Sequence, residues 1–534
     1  MKDISSRRWV GLVFISLAVA LIIVDSTIVN VAIPAIVDDL GISSTQVQWV
    51  QEAYTLVFAS LLLLFGSLAD RFGRRRMLLI GVALFSLASI GAALATSGDL
   101  LILARLVQGI GGAMMLPSTL SLLNATFRGR ERGIAFAVWG STIGGMAAVG
   151  PLLGGWLTTE FSWRWAFGIN IPLGIIIAAG VLWAVAESRE DTYGRVDLVG
   201  AALSVVLFGT LVFGLIEGRT LGWWSLEHPF TIAGWTWPWD LSPVPIAFAL
   251  TVLALVAFVL WARHRSRLGR TTLLDPRLFS ITTFRNGNLA ALVVALGEFG
   301  LILSLPIWLQ FVLGFDALQT GLVLIALAVG SFVASGFAGA SSGRISPVLV
   351  VRLGLVAEIV GVTWVGFVVA PDAAWGWLLP ALFVYGFGVG LATAQLTGVV
   401  LQDVPVQLSG QGSGTQSTAR QVGSALGIAI LGTVLFASTA GILSTSLDDR
   451  GIPAEQRDQV VSAVVDSAGG AIAGLEGDPS TAPIAADAKA AFSSGTRLAA
   501  FTAAGFLVIG LIATIPLGRG RRPDQVDPSP TMSQ

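Results

Sequence analysis

The chain has 534 residues, of which 54% are hydrophobic and only 12% charged, and its net charge is −1. Soluble proteins carry roughly 25% charged residues, so this composition places the chain in a bilayer, and its balanced charge gives no global field that suggests a nucleic acid partner. Cysteine is absent and histidine occurs twice, at His228 and His264 in predicted loops, so thiolate metal sites are excluded and protons crossing the membrane must use carboxylates.

Apolar stretches of about 18–25 residues, the length a bilayer demands, recur along the chain. They predict helices near 9–33, 46–69, 77–96, 100–125, 133–158, 164–186, 198–217, 242–262, 287–313, 320–341, 347–369, 376–401, 415–440 and 496–517, fourteen spans in all. Met1–Arg8 is too short to be the charged region of a cleaved signal peptide, so the first span is expected to persist. Lys and Arg concentrate in the loops that are cytoplasmic if the N-terminus is inside, so both termini are expected on the cytoplasmic face of a multi-pass cell-membrane protein.

The first span carries Asp25 within Val24-Asp25-Ser26-Thr27-Ile28-Val29-Asn30-Val31-Ala32-Ile33-Pro34. After the second comes Gly66-Ser67-Leu68-Ala69-Asp70-Arg71-Phe72-Gly73-Arg74-Arg75-Arg76, whose glycines allow close turning and whose Asp70 suits capping a helix or pairing with arginine. The fourth span contains Leu101-Ile102-Leu103-Ala104-Arg105-Leu106-Val107-Gln108-Gly109. The fifth holds Gly140, Gly144, Gly145, Gly150, Pro151, Gly154 and Gly155, followed by Trp163-Arg164-Trp165-Ala166-Phe167-Gly168-Ile169-Asn170-Ile171-Pro172-Leu173-Gly174. Glycines four residues apart let helix backbones approach closely, and Pro151 interrupts its helix's hydrogen-bond ladder.

These segments, in this order, resemble the signatures of the major facilitator superfamily of secondary transporters, in its fourteen-helix drug:proton antiporter branch. The resemblance implies an all-α integral membrane fold: two six-helix bundles of inverted three-helix repeats with two extra central helices. The bundles are expected at 1–186 and 287–517, with the two additional helices in 187–286. A long external loop is expected at 441–495, holding an amphipathic helix at 454–467, and the tail 518–534 is expected to be disordered. The tryptophan-rich segment 218–241 suits the membrane–water interface. The resemblance also implies that Gly66, Asp70, Arg71, Gly73 and Arg74 switch conformation, and that Gly140, Gly144, Gly150, Pro151, Gly154 and Gly155 form the antiporter-motif helix. In the second half, Gly343-Arg344-Ile345-Ser346-Pro347 occupies the place of the loop's repeat without its acidic residue.

A charge near the bilayer centre costs about 2.5–3.5 kcal/mol on insertion scales, so each one asks for a reason. Asp25, Glu52, Arg105, Glu298 and Glu358 are therefore candidates for proton coupling or substrate contact, with Asp25 leading because it belongs to the branch motif. Asp25, Glu52 and Arg105 lie at comparable depth and are candidates for one cluster. Arg420, at the start of the thirteenth span, is expected to reach the cytoplasmic face. Trp139, Tyr54, Phe299 and Tyr385 are candidate cavity walls, with ordinary helix packing the alternative. No nucleophile, metal or cofactor constellation, phosphate loop or filter loop is found, which disfavours an enzyme, an ATP-driven pump and a channel. The expectation is a monomeric antiporter, without metal or cofactor, that exchanges protons for lipophilic, cationic small molecules. A dedicated exporter of one metabolite, lipid or self-made antibiotic is the alternative.

Overall fold

The computed structural model describes residues 2–42, 44–189, 197–218, 220–232, 235–270, 272–341 and 344–519. The first bundle contains α1 (Lys2–Leu40), α2 (Ser44–Phe72), α3 (Arg74–Ala93), α4 (Gly98–Thr126) and α5 (Gly129–Glu160), then a span broken into α6 (Trp165–Gly168) and α7 (Asn170–Ala184). Next come α8 (Leu198–Glu217), a hairpin of β1 (Thr231–Ile232) and β2 (Trp235–Thr236), and α9 (Pro243–Arg267). The second bundle uses α10 (Thr282–Phe311), α11 (Ala317–Ser341), α12 (Pro347–Val368), α13 (Leu378–Leu401) and α14 (Ser409–Asp449). It closes with α15 (Ala454–Asp466), α16 (Ala471–Glu476) and α17 (Ala482–Ala513).

Among the described residues, twelve helices are long and apolar enough to cross a membrane, and the two limbs of α5 supply a thirteenth span. The 30-residue α10 stands where the remaining predicted span falls. In lipid every backbone polar group needs an internal partner, which is why an apolar chain of this composition resolves into helices almost throughout. Apolar side chains on α9 such as Leu253, Val256 and Leu260 face outward, where a lipid solvent makes exposure costless.

The segment expected to be an external loop at 441–495 is instead mostly helical. The 41-residue α14 continues to Asp449 and α17 starts at Ala482, with α15 and α16 between. At 1.5 Å per residue α14 is about 60 Å long, twice the hydrocarbon thickness, so its last turns stand clear of the membrane. Alanine-rich sequence has the strongest helix propensity, and ion pairs between Arg450 and Asp487, and between Lys489 and Glu476 at 2.8 Å, fasten the projecting turns. The expected helix at 454–467 is α15. Residues 520–534 of the expected disordered tail, and Gly343 of the second-half loop, lie outside the described residues.

The glycines of α5 divide between two neighbours. A Cβ on Gly150 would land on the Thr27 hydroxyl, and one on Gly154 would stand 2.9 Å from the Ile28 carbonyl oxygen, both on α1. Gly144 faces α11 in the other bundle, where a Cβ would meet Ser331 Oγ at 2.6 Å. Gly140 is buried in the same helix. The limbs Gly129–Met146 and Val149–Glu160 bend by 43°. Pro151 explains the place of that bend, because its ring meets the carbonyl four residues earlier, at Ala147. Gly155 is different: the nearest atom to a Cβ there would be 3.8 Å away. Gly150→Ala is therefore expected to lower thermal stability by about 1–3 kcal/mol, the cost of overpacking, while Gly155→Ala leaves it unchanged. Melting followed by intrinsic tryptophan fluorescence in detergent checks both, and equal melting of the two variants would contradict the packing argument.

Candidate functional site

Asp25 is fully buried on α1, and three side chains donate to its carboxylate. Arg105 Nη1 lies 2.5 Å from Oδ2, while Asn170 Nδ2 and Gln108 Nε2 lie 2.6 and 3.1 Å from Oδ1. Four helices thus converge, because Ser89 on α3 also accepts from Gln108 at 2.8 Å and from Asn170 at 3.2 Å. Arg105 sits on α4 three residues before Gln108, so the two share a helix face. Its Nε donates to the Val50 carbonyl at 3.0 Å, and its guanidinium lies 4.5 Å from the centroid of the Tyr54 ring. An ionised carboxylate only accepts, so this donor set fits Asp25 as an anion.

Glu52 does not join that cluster. Val50 and Tyr54 on α2 face Arg105, and Glu52 is two residues from each, about 200° around the helix. It points instead to α8, where its carboxyl lies beside that of Glu217. The inserted pair of helices therefore touches the first bundle through a titratable contact.

The second bundle has its own acid–base pair. Glu298 on α10 is buried; Thr393 Oγ1 on α13 donates to its Oε1 at 2.8 Å, and Arg420 Nη2 on α14 lies 3.4 Å from Oε2. Arg420 therefore does not extend to the cytoplasmic face as expected. The helix starts at Ser409, not near 415, which sets Arg420 three turns inside it. Tyr385 donates to the Glu298 carbonyl at 3.0 Å. Glu358 on α12 is fully buried with both carboxyl oxygens unpartnered, in space left by Gly388, where a Cβ would come within 2.7 Å of Glu358 Cγ. Trp139 packs in the core with its indole donating to Thr119 at 3.2 Å, and the side chain of Phe299 lies outside those described.

At the other end of α2 the two bundles are tied. Asp70 receives the Gly410 N–H at 2.7 Å and the Gln411 N–H at 3.0 Å, both in the first turn of α14, whose leading N–H groups have no intrahelical acceptor. A carboxylate there also meets the positive end of the helix dipole. Arg74 donates to Asp70 at 2.8 Å and to the Val406 carbonyl at 2.6 Å, so one arginine clasps both sides. Gly66 is needed for this closeness, since a Cβ would stand 2.5 Å from the Gly410 carbonyl oxygen. Gly73 has φ +109°, and its missing Cβ makes room for the Glu187 carboxylate, which accepts from the N–H groups of Arg75 and Arg76 at 3.1 and 3.2 Å. Arg71 stands apart from this network, its guanidinium 5.7 Å from the Phe72 ring centroid. On the opposite membrane side, Arg164 donates to Asp39 at 2.5 Å and holds that carboxyl below its ordinary range, helped by the Trp163 indole.

Sequence reasoning singled out neither Gln108, Asn170 and Thr393 nor the Glu187 cap. Gln108 and Asn170 had a signal, being polar residues inside apolar runs and within quoted motifs. Thr393 and Glu187 had none that distinguishes them from ordinary helix or loop residues.

Two bundles joined by an interhelical clasp, each with a buried acid–base pair, agree with what the chain is similar to. Residues 15–428 match the Major Facilitator Superfamily. The chain belongs to that superfamily. Its relatives include the multidrug efflux pump LfrA of Mycolicibacterium smegmatis, 33% identical with 96% of each chain covered. The puromycin resistance protein of Streptomyces alboniger is 34% identical over 82% of this chain and 84% of that one. The tetracenomycin C resistance and export protein of Streptomyces glaucescens is 29% identical over 99% and 94%. Among solved structures, the human organic anion transporter MFSD10 superposes with a TM-score of 0.56 at 14% identity, covering 96% of this chain and 99% of that one, a likeness of fold. The chain is thus a multi-pass membrane transporter.

Asp70→Asn is expected to loosen the clasp by tenfold or more, since hydrogen bonds to a charged group are each worth about 1.5–3 kcal/mol. Distances between spin labels at the facing ends of α2 and α14 should lengthen in the variant. An unchanged distance distribution would remove Asp70 from the switch.

Proposed function

We propose that this transporter is a proton-coupled antiporter exporting lipophilic, cationic compounds across the cytoplasmic membrane, with both termini inside. The observation that carries the reading is the buried pair Asp25–Arg105, fastened by Gln108 and Asn170. Breaking such a pair by neutralising one partner strands a buried charge, at a cost of about 3–5 kcal/mol. Protonation of Asp25 from outside therefore releases Arg105 and forces the helices that carry it to rearrange. That is how a proton gradient is converted into a change of access.

The halves 1–186 and 287–517 rock against each other, with 187–286 as an inserted helix pair and the Asp70–Arg74 clasp holding the closed cytoplasmic end. Glu52, Glu298 and Glu358 are further sites where protons or substrate charge are taken up. One chain carries a complete path and acts as a monomer. Relatives named for multidrug efflux support a broad substrate range. Relatives named for a single antibiotic favour the alternative, a dedicated exporter.

Purified protein in proteoliposomes with an imposed proton gradient tests the proposal. Adding lipophilic cations is expected to produce substrate-dependent change of intravesicular pH, reduced at least tenfold in Asp25→Asn. Full flux in that variant would remove Asp25 from the coupling, and flux driven equally by neutral compounds would remove the cation preference.

A further inference from the structure

The linker from the inserted pair to the second bundle runs from Leu268, after α9, to Ile281, before α10. Connecting segments normally lie on the surface, yet Leu273, Leu274 and Leu278 are buried, so this one is threaded into the protein. A buried backbone needs partners for its N–H groups, and two of those partners lie at the ends of different helices. Leu273 N–H donates to Asp197 Oδ2 at 3.2 Å, and Asp275 N–H donates to Gln411 Oε1 at 2.8 Å.

Each acceptor has a second engagement. Asp197 is the N-cap of α8, accepting from Gly200 N–H at 2.9 Å, and it also accepts from the Trp261 indole of α9 at 2.8 Å and faces Arg265 Nε at 3.7 Å. A helix cap engages one oxygen; here both oxygens of a buried carboxylate are used, and they gather α8, α9 and the linker. Gln411 lies in the first turn of α14, and its own N–H is one of the two that Asp70 of α2 accepts. Its side-chain oxygen must be the atom facing Asp275, because that partner is a donor. α8 in turn packs on α2, where a Cβ on Gly209 would stand 3.2 Å from Ser60 Oγ. The inserted pair thus leans on α2 and is tied to α14, the two helices that the clasp joins.

We propose that the inserted pair is a brace on the clasp, with Asp197 and Gln411 as positioning residues: through linker residues 273–275 they hold α8 to α14 and bias the α2–α14 joint toward its closed position. The inference rests on the reading that the bundles rock about this joint, and it gives the inserted pair a part in that motion. When α2 parts from α14, α8 moves with α2, and one of the two linker bonds must break. The bonds lie on a single path, so losing either cuts the tie, and losing both costs no more than losing one.

The chain contains no cysteine, so spin labels on introduced cysteines at the facing ends of α2 and α14 report without background. The test measures their distance distribution by double electron–electron resonance, on the full chain in nanodiscs. Gln411→Leu removes the linker's acceptor but keeps the N–H that Asp70 holds. Asp197→Asn keeps an oxygen for the α8 cap while turning its amide nitrogen, a donor, toward the Leu273 N–H. Each is expected to lower the closed-to-open ratio about fivefold, the worth of one neutral hydrogen bond and hence of the weaker link. The double variant should also shift about fivefold. A double shift of about twenty-five-fold, which marks independent effects, would overturn the brace. So would a shift in one single variant alone, or an unchanged distribution in both. Asp70→Asn on the same labels separates the failures. A widened joint there with unmoved brace variants ends the brace and leaves the clasp standing; an unmoved joint in all three variants removes the clasp and the brace with it.

Discussion

A charge in hydrocarbon must be met by an opposite charge or be expelled, and the first bundle is built around one such meeting. Asp25 and Arg105 are eighty residues apart in sequence, and their contact requires α1 and α4 to lie at one depth and in one rotation. Asn170 then fixes α7 on the same carboxylate, and Ser89 fixes α3 through the amides. Apolar packing alone would leave these helices free to slide, because lipid tails are as apolar as leucine and supply no force between helices. The polar knot gives the bundle its register.

Between the bundles the governing constraint is distance, not charge. α2 meets α14 through Gly66, Gly410 and Gly414, with backbone atoms so close that a single methyl group would not fit, while α5 meets α11 where Gly144 faces the Ser331 side chain. Contacts of this kind form or break as a unit, since backbone cannot yield as a side chain can. Asp70 then adds direction, because the α14 N–H groups that it satisfies lose their acceptor whenever the ends part. Close glycine packing and a dipole-capping carboxylate together make a tightly specified joint.

Much of this was legible in the sequence because the bilayer leaves few options. Most spans appear at their predicted places within several residues, α8 at its exact predicted bounds, since apolar length is a strong signal, whereas α17 starts fourteen residues before the span predicted there. The motif residues Asp25, Arg105, Asp70 and Gly66 were legible as important, yet their partners were not. Glu52 shared a depth with Asp25 but not a helix face, and linear depth estimates carry no rotation. Arg420 looked like a helix-end residue because the polar first turns of α14, from Ser409 to Gly414, read as a loop. The helical character of 441–495 was hidden for a similar reason: its polar and small residues belong to water-facing helices, whose signal differs from that of a span.

The two acid–base pairs are placed alike but finished differently, and the difference lies in how many donors hold each acid. Asp25 is saturated, with three donors on two oxygens, so nothing enters without first removing the charge that holds them; a proton is small enough to do that. Glu298 is held by the Thr393 hydroxyl and by one longer contact to Arg420. Glu358 lies behind with both oxygens bare, an arrangement that tolerates a neutral acid far better than a lone anion. A carboxylate saturated by three donors in one bundle and a carboxylate held by a longer ion pair in the other thus stand on either side of the clasp at Asp70, which joins the bundles.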